Sequence, residues 1–264
     1  MIARYQVILA YDGSRYHGFQ RQNQAMSKVS APTVQGVIED ALRQIGWEGS
    51  SILAAGRTDA GVHALGQVIA FDLAWKHGIQ DLQAALNANL PDNVVAWHVT
   101  EADATFHPRF DAITRRYRYH IFCQELRHPH RERYAWRVWP PVDIELMRLA
   151  ALQLVGTHDF AAFGAPPTGS GTTVRTVHSA VWYDIERDPS DFSLGVPELC
   201  FEIVANAFLY RMVRRVTDVL VGIGHHRVDV DAISHHLATP PSTVVRGLAP
   251  ANGLFLVDAT YPTG

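Results

Sequence analysis

Arg116-Tyr117-Arg118-Tyr119-His120-Ile121-Phe122 alternates charged or polar side chains with aromatic or apolar ones, the period-two signature of a half-buried strand. Read as a strand, it makes the second part of the chain restart the order of the first. Beyond it, after a basic loop, Ile144, Met147, Ala151 and Leu154 recur at helical spacing until Gly156. Strands are predicted over 174–183 and 199–204. A longer helix is predicted over 208–223, with Phe208, Met212, Val216, Val219 and Ile223 along one face, and a last strand over 254–260. Before it, residues 5–11 read as a strand closed by the turn pair Asp12-Gly13, and a polar loop runs to Pro32. Val34, Val37, Ile38, Ala41, Leu42 and Ile45 then mark a helix with Thr33 as N-cap and Gly46 as its stop. A strand over 66–71, a helix over 81–89 stopped by Pro91, and a strand over 94–99 follow.

Strand, helix, strand, helix, strand thus occurs twice, without a repeat at the level of residues. The fold class expected is α+β, with two similar halves, each a mainly antiparallel sheet with helices on one face. Sheets joined edge to edge would leave a central cleft as the natural place for a site. The boundary is expected near residues 105–108, giving an N-terminal half of 1–105 and a C-terminal half of 106–264. The Gly/Pro/Ser/Thr-rich stretch 166–171 is a loop inside the second half rather than a linker.

Composition narrows the class. Hydrophobic residues make up 47% and charged residues 19% of 264, enough apolar material for a packed core and against global disorder. No apolar run approaches the ~18 residues of a membrane span. The first residues enter a strand pattern at once, which leaves no room for a signal peptide. Cys123 and Cys200 lack the C-x-x-C spacing of a zinc knuckle or disulfide framework. A cytoplasmic protein is the simplest expectation.

The formal net charge of -3 argues weakly against a nucleic-acid partner, but the charges are segregated. Arg109, Arg115, Arg116, Arg118, Arg127, Arg131, Arg133 and Arg137 are opposed along the chain only by Asp111, Glu125 and Glu132. Arg211, Arg214, Arg215 and Arg227 form a second group, and Lys28 and Lys76 are the only lysines. The planar guanidinium fork suits phosphate oxygens and base edges. A genome rich in Arg codons would explain the count, though not the segregation.

Gly56-Arg57-Thr58-Asp59-Ala60-Gly61-Val62-His63-Ala64-Leu65-Gly66-Gln67 carries the chemistry. It follows the apolar Ile52-Leu53-Ala54-Ala55, which places Asp59 on a tight loop between buried segments, where a carboxylate is held rigidly and partly desolvated. Alone, such a loop reads as a turn-forming Asp beside a surface Arg.

The rest of the chain changes that weighing. It carries Tyr11-Asp12-Gly13-Ser14-Arg15-Tyr16-His17-Gly18-Phe19-Gln20-Arg21-Gln22, Val34-Gln35-Gly36, and Arg57-Thr58-Asp59-Ala60-Gly61-Val62-His63. Further on stand Arg109-Phe110-Asp111-Ala112, Arg116-Tyr117-Arg118-Tyr119, and Gly156-Thr157-His158-Asp159-Phe160. Asn206-Ala207-Phe208-Leu209-Tyr210-Arg211-Met212-Val213-Arg214 and Ala249-Pro250-Ala251-Asn252-Gly253-Leu254 complete the set. In order and spacing, over almost the full length, these strings resemble the tRNA pseudouridine synthase A (TruA) family. The resemblance implies an isomerase that converts uridine to pseudouridine at positions 38 to 40 in the anticodon stem-loop of tRNA. It also implies a homodimer, and a cleft that binds RNA. Asp59 matches the catalytic carboxylate, Tyr117 the tyrosine against the target base, Arg214 the basic partner of the carboxylate, and Arg57 a residue that extrudes the nucleotide. Arg211 and Arg215 are then expected as phosphate contacts. Ala251-Asn252 departs from relatives that carry a second proline, and the 168–173 loop looks variable.

The chemistry of the residues agrees with these roles. The reaction breaks N1–C1′, turns the uracil and joins C5 to C1′. Nothing is oxidised and no group enters, so no cofactor and no metal are expected. One anionic group near C1′ is needed, kept ionised by a cation, with an aromatic wall against the detached base. The base must also leave its stack. Attack at C1′, attack at the base and a glycal route stay open. By pattern alone Tyr117 and Tyr119 would be sheet packing, and Arg214 a solvated helix face. A metal-dependent hydrolase is prompted by 14 histidines, including His225-His226 and His235-His236, but adjacent histidines point apart. A non-catalytic RNA-binding module would suit the charges, yet would not need a rigid loop around Asp59.

Overall fold

The computed structural model describes residues 2–21, 32–166, 171–185, 198–238 and 244–262. They form two compact units, residues 1–113 with 255–264, and residues 114–254.

In the first unit, β1 (Ala3–Tyr11) buries Tyr5, Val7, Leu9 and Tyr11 and leaves the intervening residues half-exposed. It runs antiparallel to β3 (His63–Leu73) on one edge and to β4 (Val94–Ala102) on the other. The far edge of β3 is shared by the short antiparallel β2 (Leu53–Ala54) and by the start of β10 (Leu254–Thr260), which pairs in parallel. Helix α1 (Val34–Gln44) is capped by Thr33, whose hydroxyl accepts from Gly36 N–H, and it buries Ile38, Ala41 and Leu42. Helix α2 (Ile79–Asn89) packs Leu82 and Leu86, one turn apart, against β4. The register slips opposite Ile8 and Leu9, and α2 compensates: Asn87 exchanges hydrogen bonds with the Ala96 backbone (2.8 and 3.0 Å), and Gln83 Nε2 donates to Trp97 O (2.8 Å).

In the second unit, β5 (Thr114–Cys123) lies between β9 (Glu198–Ala205), antiparallel, and β6 (Trp136–Val138), parallel. The other edge of β9 pairs with β8 (Val174–Ile185), which pairs with β7 (Gly156–Asp159). Helix α3 (Ile144–Leu152) begins at Asp143, whose carboxylate accepts from Glu145 and Leu146 N–H, and it packs on β8 and on α4 (Met212–Gly224). Helix α5 (Ala232–Ala238) lies near β7. Tyr119, Phe122, Phe160, Phe163, Phe201 and Met147 fill the core. The architecture is α+β with mixed strand pairing.

Two differences from the sequence reading have physical causes. The helix predicted over 208–223 starts at Met212, because Tyr210 N–H is taken by Ala165 O (3.0 Å) and Arg211 adopts a left-handed φ of 63°. The strand predicted over 66–71 extends to His63, directly after the Asp59 loop. Gln22 and residues 167–170 of the Gly/Pro loop lie outside the described residues.

Candidate active site

The Asp59 loop joins β2 to β3 and is a tight turn in its own right. Asp59 O accepts from Val62 N–H (3.1 Å), and Gly61, third in that turn, has φ of 79°, the signature of a type II turn that excludes most side chains. At the start of the loop, Gly56 O accepts from the buried Gln67 side chain (2.8 Å). Thr58 is the keystone: its hydroxyl shares a buried hydrogen bond with Tyr11 OH (2.8 Å), and its carbonyl accepts from Phe19 N–H (3.0 Å). Asp59 is half-buried and Arg57 exposed.

The segment that grips the loop is the Tyr11 to Phe19 string. Gly18 has φ of 88°, and a Cβ there would lie 2.8 Å from Thr58 O and 3.2 Å from Ala60 N. Only glycine allows that approach. Gly13 N–H donates to His63 Nδ1 (3.1 Å), and the His63 ring stacks on Phe255 at 4.7 Å. Val34 and Gln35 N–H donate to Gly18 O (3.2 Å) and Phe19 O (2.8 Å), so the first turn of α1 holds the gripping segment. Gln35 in turn donates to Glu39 (2.7 Å), a fully buried carboxylate that also accepts from Arg21 (2.9 Å) and Ile52 N–H (3.2 Å). A buried charge satisfied this fully orders the elements around it. Gln35, Glu39 and Thr58 carry no role that local pattern reveals. The spacing of Gln35 and Glu39 along α1 was visible, whereas Arg21, Ile52 and Tyr11, which complete these contacts, lie outside the helix.

The other candidate residues lie in the second unit. Tyr117, opposite Ile203, is buried, and its ring meets Phe208 edge-on at 4.9 Å. Tyr119 is fully buried and donates to Pro250 O (2.7 Å). Burial raises its pKa well above the phenol value, against the opposing charge of Arg214. Arg214, in the first turn of α4, donates Nε–H to Ala249 O (2.8 Å), while Ala249 N–H donates to Arg214 O (3.2 Å). The Ala249-Pro250 pair therefore clasps both Arg214 and Tyr119. Asn252 ties the same segment to Glu132 O (2.6 Å) and Ala135 O (3.1 Å). Arg211 is exposed, its guanidinium 4.8 Å above the Tyr210 ring, and Arg215 donates to Phe163 O (3.1 Å).

The arginine segregation reads differently in three dimensions. Glu202 on β9 binds Arg118 (2.8 Å) and Arg116 (3.4 Å). Glu198 binds Arg131 (3.4 Å) and His120 (2.7 Å). Glu132 takes Arg127 and Arg137, and Arg115 donates to Asn206 O (2.8 Å). Much of the basic stretch between 109 and 137 is thus engaged within its own unit. Glu198 and Glu202 escaped a count of neighbours along the chain, although their spacing of four matches one face of a strand. Among the described residues no group of three or more His, Cys, Asp or Glu side chains is placed to hold a metal, and no helix is long and apolar enough to cross a membrane.

A family model described as tRNA pseudouridine synthase matches residues 7–111 and 150–262. The tRNA pseudouridine synthase A of Limosilactobacillus fermentum is 39% identical over 262 residues, covering 98% of this chain and 96% of that protein. That of Thermotoga neapolitana is 39% identical over 263 residues, with 98% and 99% covered. The Thermoanaerobacter sp. enzyme of the same name is 35% identical over 255 residues, with 97% and 98% covered.

Proposed function

We propose, since the chain belongs to the tRNA pseudouridine synthase family, that Asp59 is the carboxylate through which it isomerises uridine within the anticodon stem-loop of tRNA, at positions 38 to 40. Membership makes the protein an isomerase that turns uridine into pseudouridine. The observation that carries the finer reading is the grip on the Asp59 loop. Thr58 is held by Tyr11 through its side chain and by Phe19 through its carbonyl, so the next residue is presented on a fixed, half-buried turn. Catalysis gains from a charged group held in place before the substrate arrives.

In this reading the Asp59 carboxylate acts on the nucleoside as N1–C1′ breaks, stabilising or trapping positive charge or removing a sugar proton. Arg214, clasped by Ala249, supplies the basic residue of the reaction. Tyr117 walls the detached uracil, and Arg57 fills the space the base vacates on leaving the stack. Arg211 and Arg215 meet phosphates. The enzyme works as a cytoplasmic homodimer. As an isomerisation without redox change, the reaction needs no cofactor. Turnover is expected to survive exhaustive dialysis and EDTA once tRNA folding is kept constant.

The test is to map pseudouridine in unmodified tRNA treated with pure protein. Appearance at one or more of positions 38 to 40 supports the reading. Pseudouridine confined to other positions would overturn the site assignment, and none at all would overturn the function.

A further inference from the structure

Phe110 is 74% exposed, a large apolar ring left in solvent by a loop that is otherwise closely bonded. Phe110 and Asp111 N–H both donate to His107 O (3.1 Å), and His107 N–H donates to the Asp111 carboxylate (2.8 Å). Arg109 N–H donates to His107 Nδ1 (3.1 Å). The loop is pinned to the rest of its unit as well. Tyr261 OH donates to Pro108 O (2.9 Å), Arg4 donates to Phe106 O (2.9 Å), and the Phe106 ring packs on Tyr261 at 5.2 Å.

Within this frame Phe110 has two neighbours of a particular kind. The His107 ring centre lies 4.3 Å from its own at an angle of 40°, and the Arg109 guanidinium lies 5.6 Å from it. Folding gains little from an aromatic ring that stays in water, so the core does not account for phenylalanine here. A fixed, exposed ring flanked by an imidazole and a guanidinium is a surface on which nucleobases stack while the cation neutralises phosphate alongside. The flanking charge favours RNA over an apolar protein face.

We propose that Phe110, flanked by His107 and Arg109, is a stacking platform for an unpaired base of the RNA substrate. The proposal rests on tRNA being the substrate, and it names a contact that the reacting residues do not supply. Stacking uses the face of a ring, so Phe110→Trp and Phe110→Tyr keep the contact while Phe110→Ala removes it.

The experiment measures binding of an unmodified tRNA transcript to the full chain against salt, with wild-type turnover as the control. Phe110→Ala is expected to bind about ten-fold more weakly with an unchanged salt slope, because no phosphate contact is lost. Phe110→Trp is expected to stay within two-fold of wild type, and the melting temperature to be unchanged by either. Binding of Phe110→Ala within two-fold of wild type overturns the platform. So does a change of oligomeric state on that substitution with affinity per site preserved, which would make the ring a contact between copies. Absence of wild-type turnover would instead strike at the functional reading and leave the binding comparison to stand by itself.

Discussion

The Asp59 loop and strand β5 each set charged side chains in a fixed frame, and the two frames are built differently. On β5, Arg116 and Arg118 meet Glu202 across the strands, and His120 meets Glu198. These side chains are committed to the sheet. In the loop, the hydrogen bonds that hold the chain run through Thr58, Gly56 and the Asp59 backbone carbonyl, while the acid itself stands half-buried at the head of a turn. A charge count ranks the arginine stretch first. The backbone frame built around the loop points instead to Asp59.

The strongest way to break this contrast is Gly18→Ala. The new methyl group needs a left-handed backbone and presses on Thr58 O, so stability should fall by about 3 kcal/mol and turnover should be lost with it. Thermal melting checks the first and tRNA assays the second. An unchanged melting temperature would show that the grip is not needed.

Thr58→Val is milder. It removes the buried bond to Tyr11 and keeps the shape, at a cost of about 1 to 2 kcal/mol. If the grip positions Asp59, kcat should fall about ten-fold while tRNA affinity stays near wild type, and Tyr11→Phe should repeat the pattern. A loss confined to stability would mean that Thr58 only supports the fold.

Glu202→Gln sharpens the other side. It leaves Arg116 and Arg118 without their carboxylate, so stability should drop by about 1 kcal/mol while the salt dependence of tRNA binding stays as it was. Arg211→Ala or Arg215→Ala should instead lower the salt slope by about one, with the melting temperature nearly unchanged for Arg211→Ala. The reverse outcome would return the β5 arginines to the RNA surface.

Much of the fold was legible because apolar periodicity survives in the sequence. The alternation in 5–11 and 116–122 reports burial directly, and Thr33 as N-cap marks the start of α1. The start of α4 was not legible. Phe208 and Met212 keep helical spacing, and nothing local reveals that Ala165 takes the Tyr210 N–H or that Arg211 turns left-handed. The motifs around Asp59 could be quoted from the sequence, but the reason for them could not. Gly18, Phe19 and Tyr11 act on Thr58 across some forty residues of chain, and Ala249 acts on Arg214 in the same long-range way. Local pattern is carried by neighbours in sequence, whereas the positioning of a site is carried by neighbours in space.

The most direct test is Asp59→Asn, measured for turnover and for tRNA binding in the same preparation. As the first residue of its turn, Asn serves the backbone as well as Asp does. The account predicts a folded variant that binds tRNA about as tightly as wild type and forms almost no pseudouridine. Turnover near the wild-type rate would contradict it and leave Asp59 as a turn residue.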